Sequence, residues 1–178
     1  MFSEKTKKSL PKEPTKARLR NIALYYLERF ETSKDNLRAV LRRRIDKFAF
    51  VNKEYNPEQA YIWADDIVEE CAGKNFVNDE RFAEFKISAY LRAGKPKKYI
   101  EQKLKQKGID DKIITNFFEE TEYNETEIAY NFAKKKKIGP FRESPEKREE
   151  YKQKDFGTLI RAGFSFDTVK EILDNYDN

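Results

Sequence analysis

The chain has 178 residues, of which 39% are charged and 38% hydrophobic, and it contains one cysteine and no histidine. The lack of histidine excludes Ser-His and Cys-His catalytic pairs and almost every zinc site, and a lone cysteine excludes an internal disulfide. Aromatic residues make up 14% of the chain, too many for a disordered polyelectrolyte, so we predict a folded protein. Because these catalytic and metal-binding residues are missing, we also predict that it is not an enzyme and needs no cofactor or metal.

The net charge of +5 is concentrated at the start of the chain. Residues 1–50 contain 14 Lys and Arg against 6 Asp and Glu, a net of +8, whereas the later stretches are close to neutral. This asymmetry predicts a polyanionic partner such as nucleic acid, although a solubilising tail would give the same count. The sequence has no run of about 18 apolar residues and no secretory signal, so we expect a cytoplasmic protein that does not bind membranes.

The predicted elements begin with a disordered basic arm over residues 1–14, which contain two prolines and four lysines. The rest is predicted to be all-α, because apolar residues recur at helical spacing and the chain has only six glycines. Capping residues mark the helix starts, as in the capping box Asn124–Glu127. In chain order, the predicted helices are 15–30, 34–48, 57–73, 79–93, 96–107, 111–121, 125–137, 145–162 and 166–176.

A repeat with an offset of 55 residues relates the later helices to one another. Segment 104–109 matches segment 159–164, with leucine, glycine and an apolar residue at the same places. Gly108 and Gly163 are predicted to take the left-handed conformation that ends a helix. We therefore predict an elongated array of three tandem three-helix repeats, near residues 15–77, 78–122 and 123–178.

The third predicted helix contains side chains that resemble a chemical site. Asp65, Asp66, Glu69 and Glu70 follow i, i+4 spacing and are interpreted as a solvated helix face rather than a metal site. Cys71 lies within an apolar helical pattern and is interpreted as a packed core residue. The sequence contains neither a glycine-rich phosphate loop nor a nucleophile elbow.

Three basic clusters occupy related places in the three predicted repeats. They lie at the end of the second helix, along the fifth and its start, and at the end of the seventh. A solvated helix end explains any one of them, but three in a modular array favour a surface that follows phosphates. The predicted contact residues are Arg42, Arg43, Arg44, Lys95, Lys97, Lys98, Lys105, Lys134, Lys135, Lys136 and Arg161.

The segment Phe76-Val77-Asn78-Asp79-Glu80-Arg81-Phe82-Ala83 resembles the central signature of the bacterial RecX regulatory proteins. The resemblance continues through segments 104–109 and 159–165 and spans about residues 15–176. The connection after Arg44 and the segment 138–156 depart from the family pattern. The motif residues expected to have structural roles are Asp79, Glu80, Arg81, Phe82, Gly108 and Gly163.

The resemblance implies a non-enzymatic regulator that binds the RecA–DNA filament and inhibits or modulates RecA in DNA repair and the SOS response. The implied targets of inhibition are ATP hydrolysis, strand exchange and filament extension. The implied partners are the RecA recombinase filament and single- or double-stranded DNA, bound by a monomer. Two alternatives stay open from the residues alone: a stand-alone helical DNA-binding protein, and a passive scaffold whose basic clusters only confer solubility.

Overall fold

The computed structural model describes residues 10–174, which form nine α-helices and one 3₁₀ turn and contain no β-strand. The helices are α1 Lys16–Leu27, α2 Lys34–Val51, α3 Glu58–Gly73, α4 Asp79–Arg92, α5 Lys97–Lys105, α6 Asp111–Glu120, α7 Glu125–Lys136, α8 Pro145–Ala162 and α9 Phe166–Asp174. The 3₁₀ turn, Gly139–Phe141, was not predicted. The all-α class is confirmed, and the helix bounds agree with the predicted ones to within three residues wherever they lie in the described range.

Several of the helices begin where the sequence supplies a capping side chain. Ser33, Asn124 and Ser144 each accept a hydrogen bond from the backbone N–H three residues on, at 3.2, 3.0 and 3.3 Å. The first turn of a helix has N–H groups without helical partners, and these oxygens satisfy one of them at each start. This local chemistry is the reason why the sequence locates the helix starts so closely.

Helices α5 and α8 end in the same hydrogen-bond pattern, 55 residues apart. Gly108 and Gly163 have φ angles of +71° and +106°. In each case the N–H of the next residue donates to the carbonyl five residues back, at 3.2 and 3.3 Å. These bonds satisfy carbonyls that a helix end leaves without partners, and they turn an apolar residue back onto the helix. The repeat seen in the sequence is therefore a repeat of this helix ending.

The described chain divides into two compact units, a first unit up to Asp79 and a second unit from Glu80. The buried residues of the first unit form one cluster, which draws on α1, α2 and α3. Cys71 belongs to this cluster with 4% of its surface exposed, which confirms the core assignment, and Trp63 packs against it. Burial, aided by nearby Glu70, raises the pKa of the Cys71 thiol.

The second unit contains two clusters of buried residues. One lies within α4–α6 and includes Phe82, and the other lies within α7–α9 and includes Phe164. Each of the three clusters in the described chain thus falls inside one predicted repeat, and the exact repeat boundaries remain a prediction. Of the predicted basic arm, residues 1–9 lie outside the described range, and residues 10–14 form no helix but contain buried Pro14.

Candidate functional site

The acidic face of α3 is neutralised by bases from the other two helices of the first unit. Asp65 forms ion pairs with Arg38 at 3.0 Å and with Arg42 at 3.1 Å, and Asp66 forms one with Lys16 at 3.0 Å. The prediction of a simply solvated face is therefore incomplete, because these carboxylates join α3 to α1 and α2. The charge of Arg42, a predicted contact residue, is therefore partly neutralised within the first unit.

The three consecutive arginines of α2 have three different environments. Arg42 pairs with Asp65, and Arg43 is exposed and donates from Nε to the carbonyl of Ala39 at 3.1 Å. Arg44 lines a basic pocket of the first unit. Consecutive side chains on a helix point in different directions around the helix axis, so Arg42, Arg43 and Arg44 do not form one basic patch.

Three predicted contact residues from distant parts of the sequence meet in the second unit. Lys95, Lys136 and Arg161 line a groove of about 420 Å³, together with the rings of Tyr99 and Phe132. The remaining lining residues are Pro96, Thr158 and Ala162. Among residues 10–174, no acidic residue lines this groove, which we call the second-unit groove.

The cations reach the second-unit groove from two helix ends and from the connection between α4 and α5. Lys95 follows Gly94, whose φ of +69° turns the chain from α4 into α5, and its Nζ lies 5.0 Å from the centroid of the Tyr99 ring. Lys136 is the last residue of α7 and is exposed. Arg161 lies in the last turn of α8, and its Nη2 donates to Thr158 Oγ1 at 3.4 Å.

Gly163 brings the end of α8 close to the start of α5. A Cβ placed on Gly163 would lie 3.3 Å from Pro96 Cγ and 3.5 Å from the backbone nitrogen of Tyr99. A side chain at this position would therefore require Pro96 to shift by a few tenths of an ångström, in addition to straining the left-handed backbone. The glycine thus favours the close approach of the chain segments that carry Arg161 and Lys95.

Gly157 plays a separate part, because the guanidinium of Arg161 lies over it. A Cβ on Gly157 would lie only 3.0 Å from Nη1 of Arg161, and 3.7 Å from its Cζ. Gly157 lies in the interior of α8, where glycine is unfavourable for a helix, and its lack of a side chain makes room for the guanidinium.

The cations of the second-unit groove are not neutralised by any carboxylate of the described residues. Within residues 10–174, Lys95, Lys136 and Arg161 form no ion pair, and neither do Lys134 and Lys135, which are exposed in the last turn of α7. Several unpaired cations around one concave surface produce a positive potential that attracts anions. An arginine beside lysines is well suited to phosphate, since its planar guanidinium can bind two oxygens at once.

The other predicted contact residues of α5 do not line this groove. Lys97 Nζ lies 3.9 Å from Glu101 Oε1 and also lies over the ring of Phe118. Lys98 is exposed and does not line the groove. Lys105 forms an ion pair with Asp111 at 2.9 Å, and this bond raises the pKa of the lysine. Of the fifth-helix cluster, the structure therefore brings only Lys95 to the groove.

Sequence reasoning missed the polar and aromatic lining of the groove. Tyr99 packs against the α4–α6 cluster but is only half-buried and also lines the groove. Phe132 and Thr158 were not singled out. Phe132 lies four residues before Lys136, and Thr158 lies three residues before Arg161. Residues at this spacing are neighbours on one face of a helix, so the spacing alone could have predicted that both line the groove.

Two residues of the signature 76–83 form contacts inside the protein. Asp79, the last residue of the first unit, accepts a hydrogen bond from the backbone N–H of Lys34 at 2.8 Å, at the start of α2. Phe82 is buried in the α4–α6 cluster. Acidic Asp79 beside a helix N-terminus is electrostatically favourable, since the helix dipole is positive there.

Comparison with known proteins identifies the family. A family model described as the second three-helix domain of RecX matches residues 78–116, which cover α4, α5 and most of α6. The regulatory protein RecX of Myxococcus xanthus is 34% identical to this chain, over 97% of this chain and 94% of its own length. This chain belongs to the RecX family of regulatory proteins. The RecX of Agrobacterium fabrum is also 34% identical, over 90% of this chain and 86% of its own.

Solved RecX structures share this fold. The crystal structure of RecX from Lactobacillus salivarius matches with a TM-score of 0.62, 22% identity and coverage of 91% of this chain and 96% of that one. A second RecX crystal structure gives a TM-score of 0.65 at 22% identity, over 90% and 71% of the two chains. The predicted architecture of three-helix repeats is thereby confirmed. Among residues 10–174, no helix is long and apolar enough to span a bilayer.

Proposed function

We propose that this RecX-family protein binds the RecA–DNA filament and inhibits filament extension, ATP hydrolysis and strand exchange by RecA. The observation that supports the proposal is the second-unit groove, where Lys95, Lys136 and Arg161 come together and none of the described lining residues is acidic. A nucleoprotein filament presents phosphates along its length, and unpaired cations are the side chains that meet them.

The proposed contact surface extends from the groove along the end of α7. Lys134 and Lys135 are exposed and unpaired within the described part of the chain, and they directly precede Lys136. Contacts to the DNA backbone fix position rather than read sequence. The proposed binding is therefore independent of DNA sequence and depends on salt.

The activity is tested by ATP hydrolysis of the cognate RecA on single-stranded DNA. We expect inhibition at well below one molecule of this protein per RecA protomer, because a protein that blocks filament extension acts at few sites. Unchanged ATP turnover at equal concentrations of the two proteins would count against the proposal.

The role of the groove is tested with the double variant Lys136→Gln/Arg161→Gln. We expect weaker inhibition of RecA, because two of the three groove cations are removed while the helices keep their packing. Lys112→Gln is the matched control, since Lys112 is an exposed lysine of α6 in the same unit that does not line the groove. Equal loss in the control would mean that total charge matters rather than the groove.

The same proteins distinguish the filament regulator from a stand-alone DNA-binding protein. A stand-alone protein would bind DNA tightly without RecA, and its affinity would fall steeply with salt. A filament regulator is expected to bind RecA-coated DNA more tightly than bare DNA at the same ionic strength, as measured by fluorescence anisotropy of a labelled oligonucleotide.

A further inference from the structure

A second basic pocket, separate from the proposed filament contacts, lies in the first unit. It has a volume of about 420 Å³ and is lined by four cationic side chains, Lys12, Arg18, Arg44 and Lys47. Its wall also contains apolar groups, among them Pro11 and Ile22. None of the described residues that line the pocket is acidic.

The pocket is built from two helix faces and the segment before α1. Arg44 and Lys47 are three residues apart on α2, and Arg18 and Ile22 are four residues apart on α1, so each pair shares one face of its helix. Residues 10–14 close the pocket, and buried Pro14 anchors this segment to the unit. Nη1 of Arg18 donates to the carbonyl of Glu13 at 3.5 Å and joins the segment to α1.

The four cations contrast with several other bases of the same two helices. Lys16, Arg20, Arg38 and Arg42 all pair with carboxylates of α3. Lys12, Arg18, Arg44 and Lys47 form no ion pair among the described residues, although they also lie on or beside α1 and α2. Four unneutralised cations around one cavity repel one another, and a bound polyanion relieves this repulsion.

We propose that this pocket binds a compact, multiply phosphorylated group such as a diphosphate or triphosphate. A volume of about 420 Å³ lies in the range of small-ligand pockets. The DNA backbone carries a single charge on each phosphate, whereas a triphosphate concentrates several charges within one such volume. The apolar part of the pocket wall, which includes Pro11 and Ile22, suits the less polar part of the molecule that carries this phosphorylated group. This proposal does not rest on filament binding.

Two kinds of molecule carry such a diphosphate or triphosphate group: a free nucleotide and a nucleic acid with a phosphorylated 5′ end. Isothermal titration of the full chain with inorganic tripolyphosphate tests the chemistry itself. We expect binding to one site, weakened about tenfold by Arg44→Gln, because a charge-assisted hydrogen bond is lost. Arg43→Gln is the matched control, since Arg43 is the neighbouring exposed arginine but does not line the pocket.

The proposal is overturned if tripolyphosphate does not bind at low salt, or if Arg43→Gln weakens binding as much as Arg44→Gln. Lys47→Gln serves as a second variant if Arg44→Gln loses helicity by circular dichroism. The source is then identified with a nucleoside triphosphate, an oligonucleotide with a 5′-triphosphate and the same oligonucleotide with a 5′-hydroxyl. Equal, Arg44-dependent binding of the 5′-hydroxyl oligonucleotide would show a backbone site instead and would also overturn the proposal.

Discussion

Gly163 meets two requirements at one residue, a left-handed backbone and a close approach between α8 and α5. A Cβ there would be strained at a φ of +106° and would lie 3.3 Å from Pro96 Cγ. Gly163→Ala is expected to lower the free energy of unfolding of the second unit by about 1–2 kcal/mol, measured by urea denaturation followed by circular dichroism.

Gly73→Ala provides the control for this substitution. Gly73 ends α3 without a positive φ, and a Cβ there would meet no atom within 4 Å. This variant is expected to leave stability unchanged or to raise it slightly, because alanine is the better helix former. Similar losses in the two variants would contradict the role assigned to Gly163.

Gly157 allows helix stability to be separated from function. Gly157→Ala is expected to raise the free energy of unfolding by about 0.5–1 kcal/mol, since alanine favours the helix interior. The new Cβ would displace the guanidinium of Arg161, so inhibition of RecA ATP hydrolysis is expected to weaken, though less than in Arg161→Gln. In an Arg161→Gln background, Gly157→Ala should have no further effect on inhibition. Unchanged inhibition by the single variant would show that the position of Arg161 is unimportant.

At the scale of elements, the 3₁₀ turn Gly139–Phe141 is joined to α8 by one buried carboxylate. Asp155 is 1% exposed and accepts two hydrogen bonds from Arg142, both at 2.7 Å, and a third from the backbone N–H of Gly139 at 2.8 Å. The bonds span 13 to 16 residues along the chain, so no local pattern predicts them. They explain how a segment that departs from the family pattern keeps a defined structure after α7.

Asp155→Asn tests the contribution of this carboxylate. The substitution keeps the shape but removes the negative charge that Asp155 places beside the largely buried guanidinium of Arg142, and such a loss costs about 3 kcal/mol. Urea denaturation of the purified variant measures the change. A loss below about 1 kcal/mol, the value typical of an exposed ion pair, would contradict the role given to Asp155.

The ion pairs of α3 predict how the first unit responds to acid. Hydrogen bonds from Lys74 and Arg20 lower the pKa of the Glu70 carboxyl. A carboxylate whose folded pKa is lowered stabilises the protein above its unfolded pKa, about 4.3, and this contribution is lost as pH falls through the folded value. Glu70→Gln should therefore lower the free energy of unfolding at pH 7. The difference in this free energy between the variant and the unsubstituted protein should shrink toward pH 3.

Trp63 fluorescence during urea unfolding at the two pH values measures this response, because Trp63 packs against the core of the first unit. Glu54→Gln is the control, since exposed Glu54 has no ion pair within the described residues. A Glu70→Gln difference that stays constant with pH would mean that packing, not charge, is what the substitution changes.

At the scale of the whole molecule, the helices were predictable and the assembly of the groove was not. Ser33, Asn124 and Ser144 mark helix starts through bonds that span three residues, and the glycine endings span five. Local sequence therefore suffices for them. Lys95, Lys136 and Arg161 were each predicted as contact residues, but their meeting depends on the approach of Gly163 to Pro96, 67 residues apart in the numbering of the chain.

The only tryptophan and the only cysteine of the chain both lie in the first unit, and the cysteine is buried. Trp63 is therefore a single energy donor of known position. After Cys71→Ser, a cysteine introduced at exposed Lys112 would be the one site for an acceptor dye, located in the second unit. Energy transfer from Trp63 to this dye would then report how the separation of the two units responds when the protein meets the RecA filament.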